Sequence, residues 1–482
     1  MLLNNPALFG SPKFLIMDPV HGGIDLFSHE QKIIDHPLFL RLRHIKQNDI
    51  LQYVFPGATH TRFEHCLGTM HIAGLIFRKM LTNYLSGGSK KMLECDEIES
   101  FQYLYGCLRI AALLHDLGHL PFSHQFENSP TGKELMSSSK IIKSLWKNVP
   151  SEFNNKLPSL MHHEHLSIRY AIQILSDIAP IGDFPFEIKD IIGMMEEGDS
   201  QSSGKFIKSS NTIIKILSKG TSLISAFFPK DIAFGIRKLF KDIISGELDA
   251  DKMDYLLRDS YFSGCQYGIY NIDHLLQNLC IGFDIKATIK KSWFGIAIKG
   301  KGVGALEDFV FSRFKMYLHV YNHKTAVGFK WLLNNSISEI FKIKKNADFI
   351  KESLLNIDLM KNLTDTFFWE CFREYALKNK NSACSDLINR TKLVHVKSIE
   401  NVLDFEKEDR AKDLHKQFKE DIIYHEASSK FSKITPTFSQ IRVLEKDKFE
   451  KRHKLISLNG STTFFKKFED ITVTHFYLAP KR

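Results

Sequence analysis

The sequence lacks several features that would assign it to a specialised class of protein. Its longest apolar runs, such as those within Leu108–Leu114 and Leu223–Pro229, fall well short of the roughly 20 residues that span a bilayer. Its seven cysteines are scattered and never lie two residues apart, which argues against a disulfide framework and a zinc ribbon. The N-terminus has no basic cluster ahead of an apolar core, so no secretion signal is predicted. We therefore expect a cytoplasmic protein that does not interact with membranes.

The overall composition is that of a soluble globular protein. The 482 residues are 43% hydrophobic and 25% charged, which argues against disorder and fibrous structure. Lysine and arginine number 65 against 55 aspartates and glutamates, giving a formal net charge of +10. This excess favours an anionic partner such as a nucleotide, a nucleic acid or phosphate, without deciding among them.

Hydrophobic periodicity predicts a mainly α fold. Apolar residues recur at helical spacing in segments such as Phe101–Leu114 and Asp251–Leu257. Short exceptions at Lys13–Met17, Gly295–Ile298 and Asp470–Leu478 have the character of strands, and the last of them alternates as a half-buried strand should. The C-terminal part is therefore expected to be a smaller α+β region.

Two polar stretches interrupt the helical pattern. Residues 86–91 are rich in glycine, serine and lysine and are predicted to link two helices. Residues 196–240 are predicted to form a flexible insertion, with a polar stretch at Glu196–Gly204 followed by an isolated amphipathic segment.

Histidines and aspartates at three places carry the chemical signal. His65 lies near the start of a helical pattern, and His115 and Asp116 end an apolar helix, which Gly118 terminates. Two adjacent side chains at a helix C-terminus can both turn toward one point. Asp251 lies in an acidic helix start, where carboxylates also serve as caps, so it gains weight only together with the others.

These residue types suit a divalent metal ion. Two imidazoles and two carboxylates form a mixed nitrogen and oxygen site of the kind that binds Fe, Mn, Co, Ni, Zn or Mg. Such a site leaves open positions for water and a phosphate oxygen.

The order and surroundings of these residues resemble a known family. His65, His115–Asp116 and Asp251 fit the H…HD…D pattern of the HD-domain metal-dependent phosphohydrolases. Within them, the chain resembles the deoxynucleoside triphosphate triphosphohydrolases, which include dGTPase-like bacterial enzymes and an animal restriction factor with a sterile-alpha-motif. The segments that carry this resemblance are Asp18–Gly22, Phe39–Gln47, Phe55–His65 and Leu248–Tyr255.

The resemblance implies a fold and a domain organisation. It covers roughly Lys13 to Lys330, so we expect an HD-domain helical core over residues 1–330 and a C-terminal α+β region over residues 331–482. It also implies hydrolysis of a deoxynucleoside triphosphate (dNTP) at the α-phosphate, which yields a deoxynucleoside and triphosphate.

Roles for individual residues follow from the same resemblance. The implied metal ligands are His65, His115, Asp116 and Asp251. His124 is implied as the general acid toward the leaving sugar oxygen, within a catalytic group that also contains His119, Glu127, His163 and Glu164. Residues implied to grip the triphosphate or to contact the sugar and base are Gln47, Arg62, Lys252, Tyr255, Asp259, Arg313, Tyr321 and Asn322.

The resemblance also has implications for assembly and regulation. The family is often homo-oligomeric, with nucleotide activators between subunits, and Asp35 and Arg43 match activator-contacting positions. Two alternatives stay open at this point: a nuclease or phosphodiesterase acting on single-stranded nucleic acid with the same metal site, and a nucleotide-sensing module without catalysis.

Overall fold

The computed structural model describes residues 6–85, 94–147, 149, 158–181, 184–196, 201–217, 229–284, 293–429, 441–446, 453–464 and 471–480. The predicted linker at residues 86–91 and part of the polar stretch before Gly204 lie outside these ranges.

Helices dominate the described chain, as the periodicity predicted. In chain order, α1 to α21 are Ser28–Ile34, Pro37–Leu40, Arg62–Leu85, Cys95–Leu114, His124–Asn128, Pro130–Met136, Ser139–Trp146, His163–Ile178, Ile188–Ile192, Gly204–Leu217, Pro229–Ser245, Ala250–Ser263, Ile272–Asn278, Val303–Met316, Lys324–Phe341, Lys344–Leu355, Ile357–Met360, Asp365–Lys378, Ala383–Ile388, Asp404–Phe418 and Leu458–Ser461.

The strands of the described residues form three small sheets. In chain order, β1 to β9 are Phe14–Asp18, Gly22–Leu26, Leu279–Asp284, Trp293–Lys299, His395–Glu400, Ile422–Ser429, Arg442–Lys446, His453–Ser457 and Ile471–Leu478. The sheets have the orders β1-β2, β3-β4-β7-β8 and β5-β9-β6. The predicted mainly α fold with smaller sheets toward the C-terminus is confirmed, and the three predicted strand segments correspond to β1, β4 and β9.

Helix α3 is at the centre of the core. It packs against α4 and α12, and its buried residues lie on almost every face, as expected for a helix surrounded by protein. All three helices contribute to the site described below, so the best-packed part of the fold holds the chemically important side chains.

The C-terminal sheet packs beside the turn that follows Tyr321. His475 Nε2 donates a hydrogen bond to the Asn322 carbonyl at 3.2 Å, and Tyr477 Oη donates to the Lys324 carbonyl at 2.6 Å. A second sheet spans the predicted boundary at residue 330, because β4 pairs in parallel with β7. The division into residues 1–330 and 331–482 stays a prediction.

The described parts of residues 196–240 are helical and packed. Helix α10 contacts α4 and α11, and it buries Phe206, Ile213 and Ile214 in the main core. The amphipathic segment is therefore not isolated, although its origin as an insertion stays a prediction.

None of the helices within the described ranges is long and apolar enough to cross a membrane.

Candidate active site

A cavity of about 480 Å³ opens where α3, α4, α12 and α14 approach one another. Most of the residues predicted for the site line it: Gln47, Arg62, His115, Asp116, His119, His124, His163, Glu164, Asp251, Lys252, Tyr255, Asp259, Arg313, Tyr321 and Asn322. The volume is in the range typical of small-molecule sites.

Three helices bring the predicted metal ligands together. His65 lies in the first turn of α3, His115 directly follows α4, and Asp251 lies in the first turn of α12. One ligand atom from each lies within 4.8 Å of the others. Asp116 adds a carboxylate, with oxygens 3.5 Å from His65 Nε2 and 3.4 Å from His115 Nε2. The four predicted ligands therefore converge on one point.

The donor atoms of this group fit a metal ion. Nδ1 of His115 donates to the Ala112 carbonyl at 2.8 Å, and Nδ1 of His65 donates to Asp254 Oδ2 at 2.8 Å. A neutral ring whose Nδ1 donates has its lone pair on Nε2. Among the described residues, the buried Nε2 atoms of both histidines lack a hydrogen-bond partner. Two such atoms facing carboxylates are what a divalent cation requires.

Asp254 orients His65 from behind. Its carboxylate, fully buried, also accepts from His21 Nε2 at 2.6 Å and from two nitrogens of Arg258 at 2.9 Å. Gly68 allows this approach, because a Cβ atom at that position would lie 1.8 Å from Asp254 Oδ1. Such carboxylate–histidine contacts fix the ring orientation of metal ligands.

The carboxylates around His65 also control its protonation. Burial alone would lower the pKa of His65, but the nearby carboxylates of Asp251 and Asp254 raise it to about 10. A cation would therefore compete with a proton for this ring, so its binding is expected to weaken at acid pH.

A second group of histidines lies beside the first. His119 and His163 stack with ring centroids 3.8 Å apart, and the ring of His124 stands edge-on, 4.8 Å from His119 and 4.9 Å from His163. His163 Nδ1 donates to Glu127 Oε2 at 3.2 Å. The resemblance implied a role for His163, and the structure places His163 in this group with His119 and His124.

Protonation differs among these three rings. Burial, aided by His163 and Arg62, lowers the pKa of His124 to about 4. Burial and Arg62 also hold the pKa of His119 well below its usual range. The pKa of His163 is raised despite burial, because Glu127 accepts its hydrogen bond. Within this group, the proton is therefore held on the His163–Glu127 pair.

Cationic side chains approach the cavity from two helices. Arg62 begins α3, contacts the Asp116 carboxylate and donates from Nε to Ser123 Oγ at 2.8 Å. Arg313, on α14, lies with its guanidinium carbon 4.6 Å from the centre of the Tyr317 ring. Lys252 lines the cavity, but its Nζ contacts Asp249 and donates to the Gly246 carbonyl at 3.0 Å.

The loop between α4 and α5 is fixed by buried groups from distant segments. Arg41 Nη2 donates to the Leu117 and His119 carbonyls, both at 2.8 Å. Asp365 accepts from the Phe122 amide at 2.9 Å, and burial raises the pKa of this carboxyl to about 6. Phe122 and Ser123 have positive φ angles of 57° and 54°, a strained geometry typical of functional loops.

Close packing also requires glycine in this loop. A Cβ atom at Gly118 would lie 2.2 Å from the His163 carbonyl oxygen and the Ser167 amide nitrogen of α8. Helix α4 ends at Leu114, before the predicted stop at Gly118, and Gly118 instead allows α8 to bring His163 to the cavity.

Polar side chains form another part of the cavity wall. Asp259 accepts hydrogen bonds from His60 Nε2 at 2.7 Å and from Tyr321 Oη at 2.5 Å. The Asn48 amide nitrogen lies 3.5 Å from the same His60 nitrogen. The buried Gln47 Oε1 has no hydrogen-bond partner among the described residues. This wall therefore offers acceptors to the hydroxyl groups of a ligand.

Four predicted residues lie outside the cavity lining. His65 and Glu127 are buried behind it and contact residues that line it. Asp35 and Arg43 are exposed and are not among the lining residues: Asp35 accepts from the Gln31 side chain, and Arg43 lies over the Phe63 ring. Their predicted contact with an activator stays a prediction.

Several residues of the site were not assigned from the sequence. His21 and His60 each hold a carboxylate, and Lys330 and Asp49 line the cavity. Asp49 directly follows Gln47 and Asn48 in the chain, so its place at the site could have been predicted from the sequence. Lys330 had no such signal, because only the packing of α15 brings it to the cavity.

Comparison with known proteins finds a family match within the N-terminal half of the chain. Residues 62–179 match the family model described as HD domain. This segment is similar to the HD-domain family. This match, together with the relatives below, confirms the predicted resemblance to HD-domain triphosphohydrolases, and it agrees with the metal-type histidine and aspartate group found in the described residues.

Curated relatives come from animals, an amoeba and an archaeon. The deoxynucleoside triphosphate triphosphohydrolase SAMHD1 of Homo sapiens is 28% identical over 375 residues, 74% of this chain and 50% of that protein. Its Dictyostelium discoideum homolog is 26% identical and covers 78% of this chain and 58% of that protein. An uncharacterized Methanocaldococcus jannaschii protein is 29% identical, and the match covers 71% of this chain and 53% of that protein. The chain spans about half the length of these relatives.

Solved structures share the fold across nearly the whole chain. A hypothetical protein from Aquifex aeolicus superimposes with a TM-score of 0.60 at 22% identity, covering 96% of each chain. A phosphohydrolase from Bacteroides thetaiotaomicron superimposes with a TM-score of 0.60 at 18% identity, covering 98% of this chain and 100% of the other. At these identities, the likeness establishes the fold.

Proposed function

We propose that this protein is a metal-dependent triphosphohydrolase that cleaves dNTPs at the α-phosphorus. One observation carries the proposal: a single cavity joins a histidine–aspartate metal group, two arginines and a polar wall around Asp259. The metal group suits the reacting phosphorus, the arginines suit the triphosphate, and the polar wall suits a sugar. The triphosphohydrolases among the relatives support the same substrate class.

His65, His115, Asp116 and Asp251 would hold the divalent cation. When bound, such an ion supplies a Lewis acid that polarises a phosphate oxygen and lowers the pKa of water. The identity of the ion stays open among Fe, Mn, Co, Ni, Zn and Mg, because the donor set combines imidazole and carboxylate.

Arg62, Arg313 and Tyr255 bind the triphosphate in this proposal. Arginine is well suited to this role, because its planar donors pair with phosphate oxygens two at a time. Arg62 already contacts Asp116, so a bound phosphate would lie beside the metal group. Lys252 can join only by leaving Asp249, with which it is paired.

His124 donates the proton to the leaving group. Attack by water on the α-phosphorus breaks its bond to the sugar O5′, and this oxygen needs one proton to leave as a hydroxyl. With a pKa of about 4, His124 is neutral at pH 7 in the nucleotide-free protein. The negative charge of a bound triphosphate would raise that pKa, so His124 would take up a proton from solvent when the substrate binds. His119, His163, Glu127 and Glu164 would position the ring.

Gln47, Asp259, Tyr321 and Asn322 hold the nucleoside. Asp259 is fixed through both carboxylate oxygens by His60 and Tyr321, so its position does not depend on the ligand. The unpartnered Gln47 Oε1 provides an acceptor for a sugar hydroxyl.

Product analysis tests the proposal directly. Purified protein is incubated with each dNTP and rNTP in the presence of Mn, Mg, Fe or Co, beside an Asp116→Ala control. We expect inorganic triphosphate and deoxynucleoside in equal amounts, and neither product from the control. Release of pyrophosphate or orthophosphate would contradict attack at the α-phosphorus. Cleavage of labelled oligonucleotides without any triphosphate would favour the nuclease alternative, and tight nucleotide binding without turnover would favour a sensor.

A further inference from the structure

A charged pair lines the cavity beside the polar wall and has no role in the chemistry proposed above. Asp49 Oδ2 lies 3.7 Å from Lys330 Nζ, and the two side chains are only 14% and 20% exposed. This distance is longer than a hydrogen bond, so each group can still make strong hydrogen bonds with a ligand.

Two walls of the cavity run from the arginines to this pair. On one wall, Arg62 Nη2 contacts the Gln47 carbonyl at 3.5 Å, and Asp49 follows two residues later. On the other wall, Arg313, Tyr317 and Tyr321 lie on successive turns, and Lys330 Nζ donates to the Tyr321 carbonyl at 3.4 Å.

Both walls therefore give the same order of subsites. Arg62 and Arg313 mark the phosphate end, and the polar wall around Asp259 marks the sugar. The Asp49–Lys330 pair comes next along each wall, where the base of a bound nucleotide would lie.

The backbone at Asp49 supports a functional role. Its φ angle is 39°, in the left-handed region that non-glycine residues seldom adopt. Such strain persists where the surrounding structure fixes it, and it is concentrated at ligand-binding sites. It places a carboxylate in the cavity wall directly beside Gln47 and Asn48.

Among the four bases of DNA, guanine can make the most hydrogen bonds with a carboxylate beside an ammonium group. Guanine presents two adjacent N–H donors and a carbonyl acceptor, so Asp49 can accept from N1–H and N2–H while Lys330 donates to O6 or N7. Adenine would place its N1 acceptor against the carboxylate. Such a mismatch leaves buried polar groups unpaired and is strongly disfavoured.

We propose that Asp49 and Lys330 read the nucleobase and select guanine. The proposal rests on the function proposed above, because it assumes that the arginines hold the triphosphate. Neither residue acts on the reacting atoms, so both determine specificity rather than rate.

The experiment compares kcat/KM for the four dNTPs in the wild type, Asp49→Asn and Lys330→Met. We expect the wild type to prefer dGTP over dATP by at least about 10-fold. Asparagine tolerates a positive φ, and its amide pairs with adenine, so Asp49→Asn should reverse or abolish the preference. Lys330→Met should lower kcat/KM for dGTP more than for dATP.

Matched controls are Asp348→Asn and Lys351→Met, which change exposed residues of α16 outside the cavity lining. Both should keep the wild-type preference. A wild type with equal kcat/KM for dGTP and dATP would overturn the proposal, as would variants that slow all four substrates equally. The latter result would assign the pair to structure alone.

A binding measurement separates this proposal from the proposed function. In the Asp116→Ala background, dGTP and dATP compete for the cavity without turnover. If no dNTP is hydrolysed by the wild type, but dGTP binds more tightly than dATP and Asp49→Asn removes the difference, base reading stands and the hydrolase function fails. Equal binding of both nucleotides would overturn base reading even if triphosphate is released.

Discussion

Two groups of three ligand-type side chains lie side by side at the cavity wall and directly behind it, yet their charges differ. His65, His115 and Asp251 form one group, which we call the carboxylate-rich group because Asp116 and Asp254 also contact it. His119, His124 and His163 form the other, which we call the imidazole group. In both groups, the ligand atoms lie within 4.8 Å of one another.

The difference lies in the neighbouring charges. Carboxylates raise the pKa of His65 and His115 despite burial, which shows that this point attracts positive charge. Arg62 and the neighbouring rings add to burial in lowering the pKa of His119 and His124. Equal spacing of histidines therefore does not mean equal function. The first group suits a cation, and the second suits neutral rings that receive and donate protons.

The largest effect is expected from Asp251→Asn. Removing a charged ligand from the carboxylate-rich group should eliminate bound metal and lower turnover on the order of 1,000-fold or more. Metal content by mass spectrometry and triphosphate release provide the measurement. Asp273→Asn, which occupies the same second position of α13 and is exposed, is the control. Full metal content in Asp251→Asn would contradict the assignment.

A large effect of a different kind is expected from His124→Asn. Loss of the proton donor should lower kcat by about 100- to 10,000-fold while metal content stays at the wild-type level. His165→Asn, outside the cavity lining, should change neither quantity. If His124→Asn also releases the metal, the two groups would act as one site and the comparison would fail.

A smaller effect is expected from Asp254→Asn. The amide cannot hold His65 as the carboxylate does, so metal affinity should fall by about 10- to 100-fold, measured by competition with a chelator. Because Arg258 would lose part of its buried partner, His21→Asn provides a milder test that removes one hydrogen bond to Asp254. His21→Asn should weaken metal binding by less than Asp254→Asn does. Unchanged affinity in both variants would restrict Asp254 to a structural role.

The smallest effect is expected from Glu127→Gln, on the protonation of His163. Glu127 raises the pKa of His163, so the variant should lower it, as followed by NMR titration. A raised folded-state pKa adds stability that is complete below the unfolded value of about 6.5 and is lost as pH rises through the folded value. Glu127→Gln should therefore lose more unfolding free energy near pH 5.5 than near pH 8.5. An equal loss of unfolding free energy at both pH values would contradict the effect of Glu127 on the protonation of His163.

Much of the metal group followed from local sequence signals. His65 at a helix start, His115 at the C-terminal end of α4, and Asp251 after the N-cap Asp249 are positions that short-range rules indicate. Their resemblance to a known pattern supplied the roles, and the structure brings the side chains together.

Other features could not be predicted because they depend on long-range packing. Asp365 holds the Phe122 amide from 243 residues away, and His21 holds Asp254 from 233 residues away. Neither pair has a local signature, since each forms only when separate helices and loops meet. For the same reason, the packing of α10 into the core was not anticipated.

By itself, the sequence determined the helical class and the position of each metal-type side chain relative to its helix, because these depend on neighbours a few positions apart. Only the tertiary structure decided which histidines stand among carboxylates and which stand beside Arg62. The pKa of a buried ring depends on charges a few ångströms away in space, and those charges come from parts of the chain that folding alone brings into contact.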